Sequence, residues 1–299
     1  MAQRAVGEGA SLDLQDARRV AVRAARSAGR LLRVGTRGAV TVRQKDPSGD
    51  LVSDLDIAAE RLILDQLHAA FPDHRVVAEE GGTSGAGDGT WTWLVDPLDG
   101  TNNCAIGLSA YVVGLALCAY QRPVVGVVHD PVTGQTWSAV RHRGVRVGAS
   151  SSIRSRRARL GGPPVLAWTQ GHAVSRADVT ARALKLVLES SARRVLQLWA
   201  PLLSWVMLVR GDIDGIVGYR PEVIDLPAGV LLALESGLQV RRLDGTEYDD
   251  RFDLPADARS FVAGSPENID RLVRLVTAAR SLEPEVRQLS TPDPEFAGW

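Results

Sequence analysis

Two aspartates three positions apart follow an apolar, β-branched run. Residues 93–95 lead into the sequence DPLDGT at 96–101, which predicts a buried strand that ends in a turn carrying both carboxylates. Pro97 biases Asp96 towards an extended backbone, and Gly100 allows close backbone approach. Carboxylates that face each other repel unless a cation lies between them, and hard oxygen ligands suit Mg²⁺. The pattern indicates a metal site, with an Asx-rich turn that caps a helix as the alternative.

Three further segments each deliver an acidic residue to the end of a predicted strand or the start of a predicted helix. These residues are Asp56, Glu79 and Asp225, which join the pair Asp96 and Asp99. An acidic residue at a helix N-terminus usually complements the helix dipole, which is the alternative for Asp54, two residues before Asp56. Asp225 stands where an N-cap belongs. Four segments with the same feature in one neutral chain favour a shared metal centre.

The elements that must position these residues alternate between helices and strands, with antiparallel hairpins among them. This order predicts a layered α/β sandwich. We expect an N-terminal α+β domain (1–150) that carries most metal ligands and a C-terminal α/β domain (151–299) that completes the metal site and the substrate pocket. The predicted helices cover about 11–34, 57–70, 175–191, 199–210, 226–236 and 265–280, and the predicted strands cover about 40–42, 51–52, 76–78, 93–95, 111–120, 124–128, 136–140, 165–168, 213–218 and 238–248.

Composition narrows the class of protein. The chain has 299 residues, of which 45% are apolar and 23% charged, and this is typical of a soluble globular protein with a real core. The formal net charge is zero, which argues against a nucleic-acid partner. With no apolar run near twenty residues and no signal-peptide start, we expect neither a membrane span nor secretion. Cys104 and Cys118 are the only cysteines, which fits a cytoplasmic protein without a disulfide framework.

The spacing of the acidic segments resembles that of the inositol monophosphatase family, whose members are Mg²⁺-dependent and often lithium-sensitive phosphatases. The resemblance covers residues 12–280 and rests on four main segments. They are the D-L-V-S run at 50–53 followed by Asp56, A-E-E at 78–80, DPLDGTNN at 96–103, and Ile224-Asp225 with Ala228-Gly229, and segments 211–215 and 263–267 also match. The resemblance implies an αβαβα sandwich of the inositol monophosphatase/fructose-1,6-bisphosphatase type, a small-molecule phosphate substrate and a homodimer.

The resemblance also implies a set of metal ligands. Glu79, Asp96 and the Leu98 carbonyl would hold one Mg²⁺, while Asp96, Asp99 and Asp225 would hold a second, with Asp96 bridging. A third, weaker Mg²⁺ near Glu79 is typical of the family and stays open.

Catalytic roles are carried over in the same way. The nucleophile would be a metal-bound water oriented by Thr101 and Asp56, with Glu79 on the same metal. Lys45, one of only two lysines in the chain, matches a family lysine near the catalytic water. The backbone N–H groups of Gly100 and Thr101, at a predicted helix start, would bind a phosphate oxygen.

Departures from the family pattern fall on substrate recognition. Trp199-Ala200-Pro201 replaces Gly-Ser-Ala on the pocket wall, so Trp199 either stacks on a ring of the substrate or turns into the core. Glu222 stands three residues before Asp225 rather than the expected seven, with Arg220 beside it as a further candidate substrate contact. Ile224 replaces a tryptophan and Cys104 an aromatic residue.

The tract from Arg141 to Arg159 carries seven arginines. It is interpreted either as a solvated hairpin and interdomain linker or as a basic arm for phosphate-rich partners.

The functional hypothesis is a Mg²⁺-dependent phosphomonoesterase. Inositol 1-phosphate, another polyol or sugar phosphate, histidinol phosphate and a nucleotide-like metabolite of a specialised pathway all stay open as substrates. A haloacid-dehalogenase-type phosphatase also has a motif ending in Asp-Gly-Thr, but it needs one residue between its two acids, whereas two separate Asp96 from Asp99. A catalytically weak metal-binding scaffold or regulatory protein on the same fold is the alternative of another class, although every expected ligand and Thr101 are present.

Overall fold

The computed structural model describes residues 12–38, 40–45, 51–150 and 162–288. Its helices are α1 (Leu14–Gly35), α2 (Asp54–Ala70), α3 (Thr101–Ala105), α4 (Val179–Ser191), α5 (Pro201–Arg210), α6 (Pro227–Glu235) and α7 (Ile269–Gln288). Its strands are β1 (Val42–Gln44), β2 (Leu51–Ser53), β3 (Arg75–Ala78), β4 (Gly82–Ser84), β5 (Trp91–Asp99), β6 (Val112–Ala119), β7 (Arg122–His129), β8 (Thr136–Val140), β9 (Val145–Val147), β10 (Val165–Gln170), β11 (Arg194–Leu196), β12 (Gly215–Tyr219), β13 (Gln239–Arg242) and β14 (Phe261–Gly264).

Two sheets and three helix pairs form five layers. A seven-stranded sheet has the order β4-β3-β5-β6-β7-β8-β9, and a five-stranded sheet has the order β11-β10-β12-β14-β13. Helices α1 and α2 cover the outer face of the first sheet, α5 and α6 lie between the sheets, and α4 and α7 cover the outer face of the second. The predicted αβαβα sandwich is confirmed.

Small residues set the distance at which these layers pack. Helix α1 buries a face of alanines against α2 and the first sheet, and a Cβ at Gly29 would lie 2.3 Å from Cδ2 of His129. Between the sheets, a Cβ at Gly126 in β7 would lie 2.9 Å from the carbonyl oxygen of Ala228, and one at Gly229 would lie 2.2 Å from the Trp205 ring. Helix α6 therefore packs directly on β7 and α5, which fixes the position of Asp225 just ahead of it.

Several predicted boundaries are wrong. Helix α2 begins at Asp54 rather than near residue 57, because Ser53 caps it and forms a reciprocal capping box with Asp56. Helix α1 is capped by Asp13. The predicted helix start at residue 11 lies outside the described residues, as do residues 46–50. Helices α4, α5 and α7 begin two to four residues later than predicted, and α7 continues to Gln288. The short strands β4, β9, β11 and β14 were not predicted.

The basic tract is only partly described, because residues 151–161 lie outside the described ranges. Its first part forms the β8–β9 turn and β9. Among the helices of the described ranges, none combines the length and the hydrophobicity that crossing a bilayer requires.

Candidate active site

The DPLDGT segment lies at the centre of the site and contains a β-bulge of strand β5. The strand does not end before Asp96, as predicted, but continues to Asp99. Asp96 pairs with Gly114 of β6 and Asp99 pairs with Val112, so β5 has one extra residue between these pairs. Pro97, which has no N–H to donate, is tolerated at such a bulge, and bulges redirect side chains. The Leu98 N–H donates to Oδ1 of Asp96 at 3.0 Å, which holds that carboxylate in place.

Three carboxylates meet beside this bulge. Oxygen atoms of Asp96, Asp99 and Asp225 all lie within 4.8 Å of one another, and the first two side chains are buried. Burial and then the charges of Glu79, Asp99 and Asp225 raise the pKa of Asp96 well above its ordinary value. Burial also raises the pKa of Asp99, although the N–H groups of α5, including that of Leu203 at 3.2 Å, oppose the shift. Converging buried oxygens of like charge fit a hard divalent cation.

Glu79 and Lys45 extend the cluster towards solvent. Glu79 follows β3 and donates its N–H to the Val95 carbonyl at 3.1 Å, so it lies beside β5, where its charge raises the pKa of Asp96. Burial raises the pKa of Glu79 despite the opposing charge of Lys45. The Lys45 Nζ lies 3.2 Å from Glu79 Oε1 and 2.9 Å from Glu80 Oε1. Burial lowers the pKa of Lys45, but the two glutamates outweigh burial and raise it overall.

Asp56 and Thr101 form a separate buried pair. The Thr101 hydroxyl lies 2.6 Å from Asp56 Oδ1 and 3.0 Å from the Leu98 carbonyl oxygen. On its other oxygen, Asp56 accepts the Ser53 N–H at 2.8 Å and the Ser53 hydroxyl. Burial raises the pKa of Asp56, and these donors oppose the rise. Sequence reasoning missed Ser53, although the spacing Ser-x-x-Asp is a capping-box signal.

The acidic cluster opens into a cavity of about 820 Å³. Asp96, Asp99, Thr101 and Asp225 line part of it. Further lining residues come from β10, α4 and the segments that follow β10 and β11, and they include Trp168, Gln170, His172, Lys185, Gln197, Trp199 and Ala200. The Trp199 side chain is 57% exposed, so the alternative in which its ring turns into the core is wrong. Ala200 also lines the cavity and is buried.

The two remaining predicted substrate contacts lie in different places. Glu222 lines a neighbouring cavity of about 490 Å³ together with Lys45, Glu79 and Asp225, and it accepts the His172 N–H at 3.0 Å. Arg220 is held by ion pairs with Asp178 at 3.5 Å and Asp257 at 2.5 Å. Arg220 is not one of the described residues that line these two cavities. Its role in substrate binding stays a prediction.

Asn103 is a second residue whose part sequence reasoning missed. Its buried side-chain amide donates to the carbonyl oxygen of Ala110 at 2.7 Å and to that of Leu198. This ties α3, which begins at the last residue of the DPLDGT segment, to the loop that carries Trp199. The residue stands within the matched motif, but only the folded chain shows which carbonyls it reaches.

Comparison with known proteins identifies the family of this chain. The sequence profile of the inositol monophosphatase family matches residues 13–281. The fructose-1,6-bisphosphatase/inositol-1-monophosphatase of Thermotoga maritima is 28% identical over 251 residues, which cover 84% of this chain and 92% of that protein. Nus factor SuhB of Escherichia coli K12 is 32% identical over 222 residues, covering 73% and 82%. The solved IMPase of Thermotoga maritima has a TM-score of 0.74 at 26% identity, covering 91% of this chain and 100% of that one. The chain belongs to the inositol monophosphatase family of metal-dependent phosphatases.

Proposed function

We propose that the protein is a Mg²⁺-dependent phosphomonoester hydrolase that acts on a small molecule. The observation that carries the proposal is the convergence of the Asp96, Asp99 and Asp225 carboxylates within 4.8 Å, at one end of a cavity of about 820 Å³ that also contains Thr101. Acidic oxygens and a backbone carbonyl are ligands that Mg²⁺ accepts, and no thiol takes part, so the donor set does not favour softer metals.

Two groups of ligands share Asp96 in this proposal. Glu79, Asp96 and the Leu98 carbonyl would hold one Mg²⁺, and Asp96, Asp99 and Asp225 a second, with a third near Glu79 left open. The like charges of Glu79 and Asp96 repel, and a cation held by both carboxylates would remove that repulsion. When bound, paired Mg²⁺ ions neutralise the phosphate and make water a stronger nucleophile at neutral pH.

Asp56 and Thr101 provide a route for the proton of the attacking water. Because Asp56 is an acceptor on both oxygens when ionised, the Thr101 hydroxyl directs its proton to Oδ1 at 2.6 Å. The lone pairs of the Thr101 oxygen then remain available to a water in the cavity, which Thr101 orients. Lys45, held by Glu79 and Glu80, balances the negative charge at the rim.

The start of α3 is the proposed phosphate contact. Gly100 precedes the helix with φ of 106°, where a Cβ would lie 2.8 Å from the Ala110 carbonyl oxygen, so glycine is required there. The first N–H groups of a helix lack internal acceptors, and both Gly100 and Thr101 line the cavity. We propose that their N–H groups bind a phosphate oxygen.

The substrate is proposed only as a class, a polyol, sugar or nucleotide-like monophosphate. The name of the Thermotoga maritima relative, a fructose-1,6-bisphosphatase/inositol-1-monophosphatase, supports sugar and inositol phosphates, and histidinol phosphate is a further alternative. We also propose a cytoplasmic homodimer, from the family resemblance. A second candidate, a regulatory protein on the same fold, is supported by the relatives named Nus factor SuhB.

One experiment separates the two candidates. Phosphate release is measured with Mg²⁺ and with EDTA across inositol, sugar, histidinol and nucleoside monophosphates. We expect phosphate release in Mg²⁺ but not in EDTA. Asp96→Asn should lower the rate of release about a hundredfold or more, because replacing a metal ligand should lower activity at least as much as replacing a residue that only binds a ligand. Asp130→Asn is the matched control, since Asp130 is buried in a turn outside the site. Release that persists in EDTA would contradict the Mg²⁺ dependence, and no release from any ester would contradict the hydrolase and favour the regulatory candidate.

A further inference from the structure

Trp199 is a large apolar side chain left exposed on the wall of the cavity that holds the acidic cluster. Its exposed fraction is 57%. Ile106, at the end of α3, lines the same cavity and is 68% exposed. Neither side chain is buried in the core, so neither contributes to folding through burial as the core residues do. Two exposed apolar groups beside a cluster of carboxylates form a surface on which an apolar part of a ligand can lie.

The backbone of Trp199 is strained. Its φ is 50°, a region that bulky residues rarely adopt and that costs free energy. Tyr120 has a similar φ of 47°, but it lies in the two-residue turn between β6 and β7, where positive φ is what a tight hairpin needs. Trp199 lies in no hairpin. Strain of this kind persists where surrounding contacts impose it, and it is most common at binding sites.

Those surrounding contacts fix Trp199 relative to the acidic cluster. On one side, the Leu198 carbonyl accepts the amide of Asn103. On the other, Ala200 is buried and α5 begins, with the Leu203 N–H donating to Asp99 at 3.2 Å. The backbone on both sides of Trp199 is therefore held to the segment that carries the proposed metal ligands, which fixes the point from which the indole extends along the cavity wall.

We infer that Trp199 stacks on a planar ring in the alcohol part of the substrate. The preferred substrates are then phosphomonoesters whose alcohol carries an aromatic ring or a base, an inference that rests on the proposed function. An exposed indole offers a flat π-face, and a ring that stacks on such a face gains more than a saturated group of the same size. Gln197 lines the same cavity and offers amide groups to polar atoms on the edge of a heteroaromatic ring.

Benzyl phosphate and cyclohexylmethyl phosphate provide the test. Both are esters of primary alcohols, so the leaving groups are alike in acidity, and they differ chiefly in whether the ring is planar. With Mg²⁺ present, we expect kcat/KM to favour benzyl phosphate by about tenfold, mainly through KM. A nucleoside 5′-monophosphate should be preferred to ribose 5-phosphate for the same reason.

Trp199→Leu removes the ring and keeps an apolar side chain at the same strained position. We expect the preference for benzyl phosphate to fall to near one in this variant, and Trp199→Phe to restore part of it. Tyr120→Leu is the matched control, because Tyr120 is also an exposed aromatic residue at positive φ but lies on a distant turn. It should keep the wild-type preference.

Two results would overturn the inference. One is equal kcat/KM for the two esters in the wild type, and the other is an equal loss for both esters in Trp199→Leu, which indicates a structural role only. If no ester is hydrolysed at all, the proposed hydrolase fails, and calorimetric binding of benzylphosphonate against cyclohexylmethylphosphonate decides the ring inference separately. A binding preference lost in Trp199→Leu supports it, and no preference contradicts it. A protein partner on this face would leave both preferences absent.

Discussion

Asp56 and Asp96 are both buried carboxylates, but hydrogen-bond donors surround Asp56 whereas negatively charged groups surround Asp96. Asp56 accepts hydrogen bonds from Ser53 and Thr101, and these donors favour its charged form. Asp96 faces the charges of Glu79, Asp99 and Asp225, which disfavour the charged form and add to the effect of burial on its pKa. A cation is therefore needed far more at Asp96 than at Asp56. This difference supports Asp96 as a metal ligand and Asp56 as a proton acceptor.

Thr101 donates to Asp56 and lines the same cavity as Asp96, and its hydroxyl can be removed without changing the shape of the side chain. Thr101→Val should lower kcat about a hundredfold, since the attacking water loses the group that accepts its proton, while KM changes little. Thr101→Ser keeps the hydroxyl and should retain most of kcat. Steady-state rates with saturating Mg²⁺ provide the measurement. If the valine variant turned over as fast as the serine variant, the proton route through Thr101 would be wrong.

At the scale of elements, helix α2 supports the site through its N-cap. Ser53 accepts the N–H groups of Leu55 and Asp56 and donates to the Asp56 carboxylate. Ser53→Ala should lower the free energy of unfolding by about 1 kcal/mol and also lower kcat, because Asp56 loses a donor that positions it. Asp13→Ala, at the N-cap of α1, is the control. It should show a similar loss of stability in urea unfolding with an unchanged kcat, and an unchanged kcat in both variants would argue against the positioning role.

The packing of α1 on β7 predicts a pH dependence of stability. His129 is buried against Gly29 of α1 and shares Thr136 with Arg26. Burial, followed by the charge of Arg26, lowers the pKa of His129 to about 4. An unfolded histidine takes up a proton near pH 6.5, so between pH 6.5 and 4 the unfolded state binds more protons than the folded one. The free energy of unfolding should therefore fall by up to about 3 kcal/mol as the pH is lowered from 6.5 to 4.

His129→Gln isolates this contribution from that of other titrating groups. The difference in unfolding free energy between wild type and variant, measured by urea unfolding at several pH values, should shrink as the pH falls from 6.5 to 4. His142→Asn, at an exposed position on the β8–β9 turn, should leave the wild-type dependence intact. A constant difference across the window would contradict the role assigned to His129.

At the scale of the whole molecule, local pattern predicted the layers and the acidic centre, and long-range contact decided the rest. The spacing of apolar residues predicts the alternation of helices and strands. The DPLDGT motif is contiguous in sequence, so it can be recognised without knowledge of the fold. Strands β11 and β14 are short, and their place depends on pairing with β10 and β12, which no local pattern contains. The position of Trp199 likewise depends on a residue distant in sequence, because Asn103 binds the neighbouring Leu198 carbonyl. Arg220 depends on Asp178 and Asp257, with which it forms ion pairs.

The proposed metal centre takes its ligands from separate parts of the molecule, so Mg²⁺ should stabilise the whole fold. Asp96 and Asp99 belong to the seven-stranded sheet, whereas Asp225 precedes α6 between the sheets. Binding to the folded state alone adds about 2.7 kcal/mol at a hundred times Kd, which corresponds to a rise in Tm of roughly 5 °C or more. Without metal, the repelling carboxylates cost stability that the cation recovers.

Asp96→Asn should therefore reverse the order of stability between two conditions. In EDTA the variant should melt above the wild type, because a neutral amide removes the repulsion by Glu79, Asp99 and Asp225 while its oxygen still accepts the Leu98 N–H. In excess Mg²⁺ the wild type should melt above the variant, because the variant has lost the ligand shared by the two ion sites. Asp130→Asn changes hydrogen bonds only within its own turn, so its melting temperature should rise on addition of Mg²⁺ by as much as that of the wild type. The measurement is the change in melting temperature that Mg²⁺ causes in each of the three proteins. An equal change in all three would contradict a metal site at Asp96 and would place metal binding elsewhere in the chain. The reason is that a metal bound by the Asp96 carboxylate must stabilise the fold less when that carboxylate is replaced by an amide.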